Sequence, residues 1–293
     1  RALTEVARQL RQFGVVDGHA AQFHGGEHGD ERHLDLGEQA AGALGERAEH
    51  RFGAGDHPFS RRQADCGHLL ARGSIRVVMT ARCPAIVVAG AGSGVGKTSV
   101  TIALVASLAK RGLNVQTFKT GPDFLDPTYL SLASGRPCYN LDGWMTGEAY
   151  VHALFSRATA GADVAIIEGA MGLFDGADPA SSEGSTAEIA RRLSVPVLLV
   201  IDAGGQARSA AATVKGFTEF EEGMNVAGVI ANRCGSDRHA AWLAESLRGA
   251  SLPPLFGSIP RGAFPALRSR HLGLTTAEPG TLTAGLLENF AEA

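Results

Sequence analysis

Residues 85–99 read Ala85-Ile-Val-Val-Ala-Gly-Ala-Gly-Ser-Gly-Val-Gly-Lys-Thr-Ser99, and this stretch decides the fold. The apolar run Ala85 to Ala89 predicts a buried strand, and Gly90 to Gly96 a loop of small residues. From Lys97 a helix is expected over about 97–111, with Ile102, Leu104, Val105 and Leu108 at helical spacing. Strand, glycine loop, Lys-Thr and helix in that order form a phosphate cradle. Backbone N–H groups around Gly92, Gly94, Val95 and Gly96 can turn inward on a polyphosphate. The helix N-terminus, at Lys97 to Ser99, adds unpaired donors and partial positive charge. Lys97 brings a full charge to the β and γ phosphates, and the Thr98 hydroxyl suits Mg²⁺.

The strict form of the motif places a glycine five residues before Gly96, where this chain has Ala91. Gly90 precedes it by one, so the loop is one residue longer between its outer glycines. A plain glycine-rich turn is the competing reading, and the agreement of strand, Lys-Thr and helix weighs against it.

With 293 residues, 44% of them hydrophobic, the chain can build one large or two modest domains. A formal charge of -3 gives no nucleic-acid footprint. No apolar run reaches membrane-spanning length and no signal peptide is visible. Cys66, Cys83, Cys138 and Cys234 are scattered, which suits a reduced, cytoplasmic protein. The only lysines are Lys97, Lys110, Lys119 and Lys215, so Lys97 and Lys119 stand out.

Residues 1–80 differ from the rest. They hold no lysine and seven of the ten histidines, with little apolar periodicity. They are expected to be a disordered or non-native extension, Met79 standing just before the first convincing strand. Within them His24-Gly-Gly-Glu-His28 matches a zinc-peptidase pattern. That chemistry needs both histidines on one firm helix, and Gly25 and Gly26 disfavour one.

From Ala85 the pattern is βα repeats. Further strands are expected over 114–118, 163–167, 197–201, 226–231 and 255–259, and helices near 129–133, 147–160, 186–193, 207–220 and 238–248. Near-continuous apolar strands between helices predict an α/β fold: a mostly parallel sheet with helices on both faces. Ligands then bind at the carboxyl ends of the strands, where Lys119, Glu168, Asp202 and Asn232 fall. Beyond the second strand, Phe118-Lys-Thr-Gly-Pro-Asp-Phe-Leu-Asp-Pro127 carries Lys119, Asp123 and Asp126. Carboxylates beside a phosphate loop suit Mg²⁺, and Gly, Pro and Asp also make turns for backbone reasons. Glu168 closes the third strand as an acidic metal anchor, and Asp175 follows as a candidate behind the metal or against substrate. Ser185 and Thr186 read either as a helix N-cap or as ligand contacts. Asn232 reads either as a base contact or as an Asx-turn.

These segments, with Asn140-Leu-Asp-Gly-Trp-Met, Glu168-Gly-Ala-Met-Gly-Leu-Phe-Asp-Gly, Gly184-Ser-Thr-Ala-Glu, Gly228-Val-Ile-Ala-Asn-Arg and Arg270-His-Leu-Gly-Leu, resemble the cobyrinate or hydrogenobyrinate a,c-diamide synthases of cobalamin biosynthesis. The resemblance spans about 83–275. The longer phosphate loop also resembles that of dethiobiotin synthetase. The resemblance implies an ATP- and Mg²⁺-dependent amidoligase domain over 81–275. Such an enzyme phosphorylates the a and c carboxylates of a corrinoid substrate, and ammonia then attacks each acyl phosphate. It implies Lys97, Asp123, Asp126, Glu168 and Asp175 as catalytic. It implies Gly92, Gly94, Val95, Gly96, Lys97, Thr98, Ser99, Lys119 and Asn232 as nucleotide-binding. Leu125, Ser185 and Thr186 would face substrate, and Thr98, Asp123 and Glu168 would hold the metal.

The family's ammonia-producing glutaminase domain has no counterpart before the end of the chain, so residues 276–293 are expected to be a tail or the start of a truncated linker. Ammonia is then expected free or from a separate glutaminase, and a homodimer is among the assemblies allowed. The open alternatives are a related tetrapyrrole substrate, as for nickel-sirohydrochlorin a,c-diamide synthase, and a partition-type ATPase. The latter usually has a second lysine early in the loop, where this chain has Ala91, Gly92 and Ser93.

Overall fold

The sheet has β1 (Ala85–Gly90) near its middle, in a computed structural model that describes residues 83–264 and 283–292. The histidine-rich segment with its His24 to His28 motif, the expected extension over 1–80 and the first part of the expected tail lie outside the described residues.

After β1 come α1 (Lys97–Lys110), β2 (Val115–Thr120), α2 (Asp126–Ser134), β3 (Tyr139–Leu141), α3 (Gly143–Thr146), α4 (Glu148–Ala158) and β4 (Val164–Glu168). Then follow α5 (Thr186–Leu193), β5 (Val197–Asp202), α6 (Ser209–Glu219), β6 (Val226–Cys234), α7 (Asp237–Gly249), β7 (Leu255–Pro260) and α8 (Ala284–Glu292). The strands order as β3-β2-β4-β1-β5-β6-β7, and every pairing is parallel. The sheet is thus wholly rather than mostly parallel in the described residues. β3 and α3 are additions to the elements expected from sequence.

All six residues of β1 are buried because both faces of the sheet are covered. Side chains alternate along a strand. Ile86 and Val88 therefore enter a core with α1, Tyr129 and Leu130 of α2, and Phe290 of α8. Ala85, Val87 and Ala89 enter the opposite core with residues of α4, α5, α6 and α7. Phe290 is fully buried and meets Phe264 at a ring-centroid distance of 5.4 Å, so α8 packs on the same core as α1.

Chain direction brings every β-strand's carboxyl end to one rim. The loop after β1 is fastened to its neighbours there: Ala91 N donates to Val200 O, and Leu173 N to Gly90 O, each at 2.9 Å. The rim is also where β4 hands over to β5 across β1, the topological switch point at which such sheets bind ligands.

Candidate functional site

Gly96 shapes the phosphate loop. Its φ of 101° lies in the left-handed region that side chains disfavour, and a Cβ there would stand 2.2 Å from Asn232 Nδ2. Asn232, on β6, donates from Nδ2 to Val95 O at 2.8 Å, and its Oδ1 accepts from Arg233 N at 2.9 Å. The amide proposed from sequence to read a base is therefore engaged at both ends, its nitrogen bracing the loop and its oxygen held by the next residue's N–H. Arg233 completes the brace, donating to Gly94 O at 2.8 Å and pairing with Asp202 at the end of β5. Asp202's carboxyl is held below its ordinary range: burial pushes it up, and the Gly204 N–H and Arg233 outweigh that.

Lys97 opens α1 and is 8% exposed. Its ammonium donates to Gly92 O at 3.0 Å and to Met171 O. Met171 is a non-glycine residue with φ of 48°, a conformation that turns its carbonyl to the lysine. Next to Lys97, the Thr98 hydroxyl donates to Glu168 Oε1 at 2.7 Å. This contact joins the start of α1 to the end of β4.

Glu168 is wholly buried. Its Oε1 also accepts from Lys119 Nζ at 3.0 Å, while Oε2 has no hydrogen-bond partner among the described residues. Lys119 lies inside β2, not in the loop beyond it as expected from sequence, and is 2% exposed. It donates further to Asp126 Oδ2 at 2.7 Å and Gly169 O at 3.1 Å, and Asp123 Oδ2 lies 3.9 Å away. Burial alone would favour a neutral lysine, and the two carboxylates, Glu168 first, reverse that, so the ammonium is held charged. Burial raises the Glu168 pKa, with Asp126 adding to it and Lys119 and Thr98 opposing. A carboxyl oxygen buried without a partner is costly unless something else comes to it.

That orphan oxygen is the test of whether a cation fits. Among the described residues no three His, Cys, Asp or Glu side chains come together to hold a metal unaided. Mg²⁺ does not ask for that: it takes one or two carboxylates and completes its shell with water and phosphate oxygens. Glu168 Oε2, the Thr98 hydroxyl and Asp123 supply such a partial set beside a phosphate loop. The donor chemistry therefore fits the ion.

An open cavity of about 750 Å³ unites these groups, lined by Gly94, Gly96, Lys97, Thr98, Ser99, Lys119, Asp123, Asp126, Glu168 and Asn232. Gly92 and Val95 contribute through their carbonyls to Lys97 and Asn232. Residues not singled out in the sequence also line it: Ser93, Met171, Arg233, Pro260 at the end of β7, and Gly262 and Phe264 beyond it. Arg233 had a legible signal, following Asn232 at a strand end. The last three sit at or just past the end of β7, where no charged motif marks them.

Some expected residues also hold local structure, and others lie outside the lining. Asp123 Oδ1 accepts from Leu125 N at 2.8 Å and Asp126 N at 3.2 Å, so it shapes the turn into α2. Leu125, half-buried, is part of that turn and does not line the cavity. Asp175 Oδ2 accepts from Gly172 N at 2.8 Å and holds the loop after β4, outside the cavity lining. Ser185 is fully buried; its hydroxyl accepts from Glu188 N at 3.2 Å and donates to Ser182 O at 2.6 Å, the N-cap reading. Thr186, 1% exposed, exchanges hydrogen bonds with Ala170 and Thr120. Both hydroxyls are thus engaged within the loop's own structure.

Residues 86–272, well over half of the chain, match the CobQ/CobB/MinD/ParA nucleotide binding domain family. The chain belongs to that family. A cobyrinate a,c-diamide synthase of Syntrophotalea carbinolica is 63% identical over 211 residues, which make up 72% of this chain and 46% of that protein. One of Leptospira interrogans is 47% identical over 199 residues, covering 68% and 43%. A hydrogenobyrinate a,c-diamide synthase of Rhodobacter capsulatus is 46% identical over 209 residues, covering 71% and 48%. The chain spans less than half the length of these curated relatives. The family is described by nucleotide binding, and the cavity lies at the switch point where such sheets bind ligands.

Proposed function

We propose that this chain is the ATP-dependent amidoligase part of an enzyme that converts the a and c carboxylates of cobyrinate or hydrogenobyrinate to amides. The observation that carries the reading is the junction of the phosphate loop with two buried acids, through Thr98 and Glu168 at 2.7 Å and Lys119 between Glu168 and Asp126. The names of the relatives supply the substrate.

In this reading a substrate carboxylate oxygen attacks the γ-phosphorus and ADP leaves. Ammonia then attacks the acyl carbon, phosphate departs and a proton is lost, giving the amide. Lys97 transfers its ammonium from the Met171 and Gly92 carbonyls to the phosphoryl oxygens as their charge shifts. Glu168, Thr98 and Asp123 would hold Mg²⁺, which when bound supplies charge neutralisation for the phosphates. Lys119 opposes the burial that favours a neutral Glu168 and orients its carboxyl, and Asp126 fixes Lys119. Asp123 is the most exposed of the three acids around Lys119, its side chain 24% exposed, and is the one placed to meet the attacking group. Asn232 and Arg233 hold the loop open from the other side. In this reading ammonia, supplied free or released from glutamine by a glutaminase, is the nitrogen donor.

The test is ATP turnover with cobyrinate and saturating ammonium, with glutamine as comparison and amide formation followed by mass spectrometry. Cobyrinate-dependent ADP release with ammonium and two successive amidations are expected. No cobyrinate-dependent ADP release under those conditions refutes the reading.

A further inference from the structure

Four large apolar side chains stand exposed at the carboxyl ends of the strands on the acid side of the phosphate loop. They are Phe124 at 59%, Trp144 and Met145 at 62% each, and Met171 at 49%. Phe124 follows β2, Trp144 and Met145 lie in α3 directly after β3, and Met171 follows β4. Covering such side chains is favourable, and a group of them in one region marks an interaction surface.

This exposure is built into the structure. Asp142 Oδ1 accepts from Met145 N at 2.9 Å and caps α3. A Cβ at Gly143 would stand 2.7 Å from Arg192 Nη1. Arg192 is in turn paired with Glu188 at 2.6 Å, and the second Glu188 oxygen accepts from Gly184 N at 2.8 Å. On the other side Asn140 Nδ2 donates to Gly121 O at 2.8 Å and Asp123 O at 2.6 Å. The turn that presents Trp144 is therefore packed closely against α5 at Gly143 and tied through Asn140 to the acid loop that carries Asp123.

Strand order sets the scale. From β1 the sheet runs through β4 and β2 to β3, three steps of about 4.8 Å, so the α3 end lies about 14 Å from the phosphate loop. A small acid held at the transfer centre would not reach it. A broad molecule with an apolar face and carboxylates on side arms would span both. Resting on the tetrapyrrole reading given above, we propose that Trp144, with Met145, Phe124 and Met171, forms the shelf that receives the apolar face of the macrocycle and presents one peripheral carboxylate to the transfer centre.

The chain's two tryptophans allow a direct test, because Trp242, on α7, is also half exposed and Arg238 lies over its ring. In full-length Trp242→Phe, which leaves Trp144 as reporter, cobyrinate should quench emission saturably after inner-filter correction. In Trp144→Phe, which leaves Trp242, it should not. Trp144→Ala should raise KM for cobyrinate about ten- to a hundredfold, with KM for ATP unchanged and kcat nearly so. Equal, non-saturating quenching of both reporters, or an unchanged cobyrinate KM in an active Trp144→Ala protein, overturns the shelf alone. Failure of the wild-type chain to bind or turn over cobyrinate overturns the shelf and the substrate reading together.

Discussion

The Thr98 hydroxyl meets Glu168 Oε1 across 2.7 Å, tying the first turn of the nucleotide helix to the acid that ends β4. Any change at Glu168 is therefore felt on the phosphate side. Glu168→Gln keeps the shape and removes the charge, leaving Lys119 paired with Asp126. Ammonia-dependent amidation should fall on the order of 10²–10³-fold, the size of loss seen when one preorganised electrostatic group is removed. The melting temperature should change little, since a lysine partner remains. Near-wild-type turnover in a steady-state assay would exclude the metal role of Glu168.

Lys119→Met should behave oppositely, as a stability variant first. It strands two buried carboxylates and should cost about 3–5 kcal/mol in denaturant unfolding. Without the lysine, burial and Asp126 still raise the Glu168 pKa. A carboxyl whose folded pKa is raised stabilises the fold below its unfolded value and loses that contribution as pH rises. The deficit of the variant should accordingly be smaller near about pH 5 than near about pH 8. An equal deficit at both would mean that the carboxylates are solvated or paired elsewhere.

Gly96→Ala combines a strained φ with a clash at Asn232 Nδ2. Left-handed backbone costs a non-glycine residue about 1–2 kcal/mol, and displacing the Asn232–Val95 hydrogen bond about 1 more. ATP should no longer raise the melting temperature of this variant. Adding Asn232→Ala should recover part of the lost stability, because the clash is gone while the strain remains. Strict additivity of the two changes in a double-mutant cycle would count against the contact.

Ser185→Ala should cost about 1 kcal/mol as a lost N-cap and leave the KM for cobyrinate unchanged. A raised substrate KM at full stability would return Ser185 to the substrate side.

Two thiols report on the fold in alkali. Burial, with Asp163 adding to it, pushes Cys83 up to about 11, and burial pushes Cys138 up to about 12. A raised thiol pKa favours the neutral form in the folded state. Its contribution is complete below the unfolded value of 9.0 and is lost as pH climbs through the folded value. Stability should decline from about pH 9 upward, and in a Cys66→Ser background neither thiol should react with iodoacetamide at neutral pH without denaturant. Fast labelling of the native protein would contradict the burial.

Much of this architecture was legible because its signals are local and strong. β1 is a pure apolar run, the glycine loop needs Gly96, and a helix near 186–193 was legible after a candidate N-cap. β3 was not, since three residues at a sheet edge, Tyr139 to Leu141, carry no apolar run. Lys119 looked like a loop residue because a lysine inside a central strand is tolerable only with carboxylates around it, and those come from α2 and β4. Ser185 and Asn232 show the limit of side-chain chemistry read in one dimension. A hydroxyl or amide that holds a loop and one that holds a ligand are the same letter.

β1 divides the rim into two territories. Glu168, Lys119, Asp123 and Trp144 belong to strands on one side, and Asp202, Asn232, Arg233 and Pro260 to strands on the other. Among the described residues the glycine loop and the lysine at its end meet both territories. Evolution could therefore retune which acid is accepted by rewriting β2, β3 and β4 termini alone, while the nucleotide grip passed unaltered from one descendant to the next. A hybrid carrying a relative's 121–147 should inherit that relative's acid preference and keep this chain's affinity for ATP.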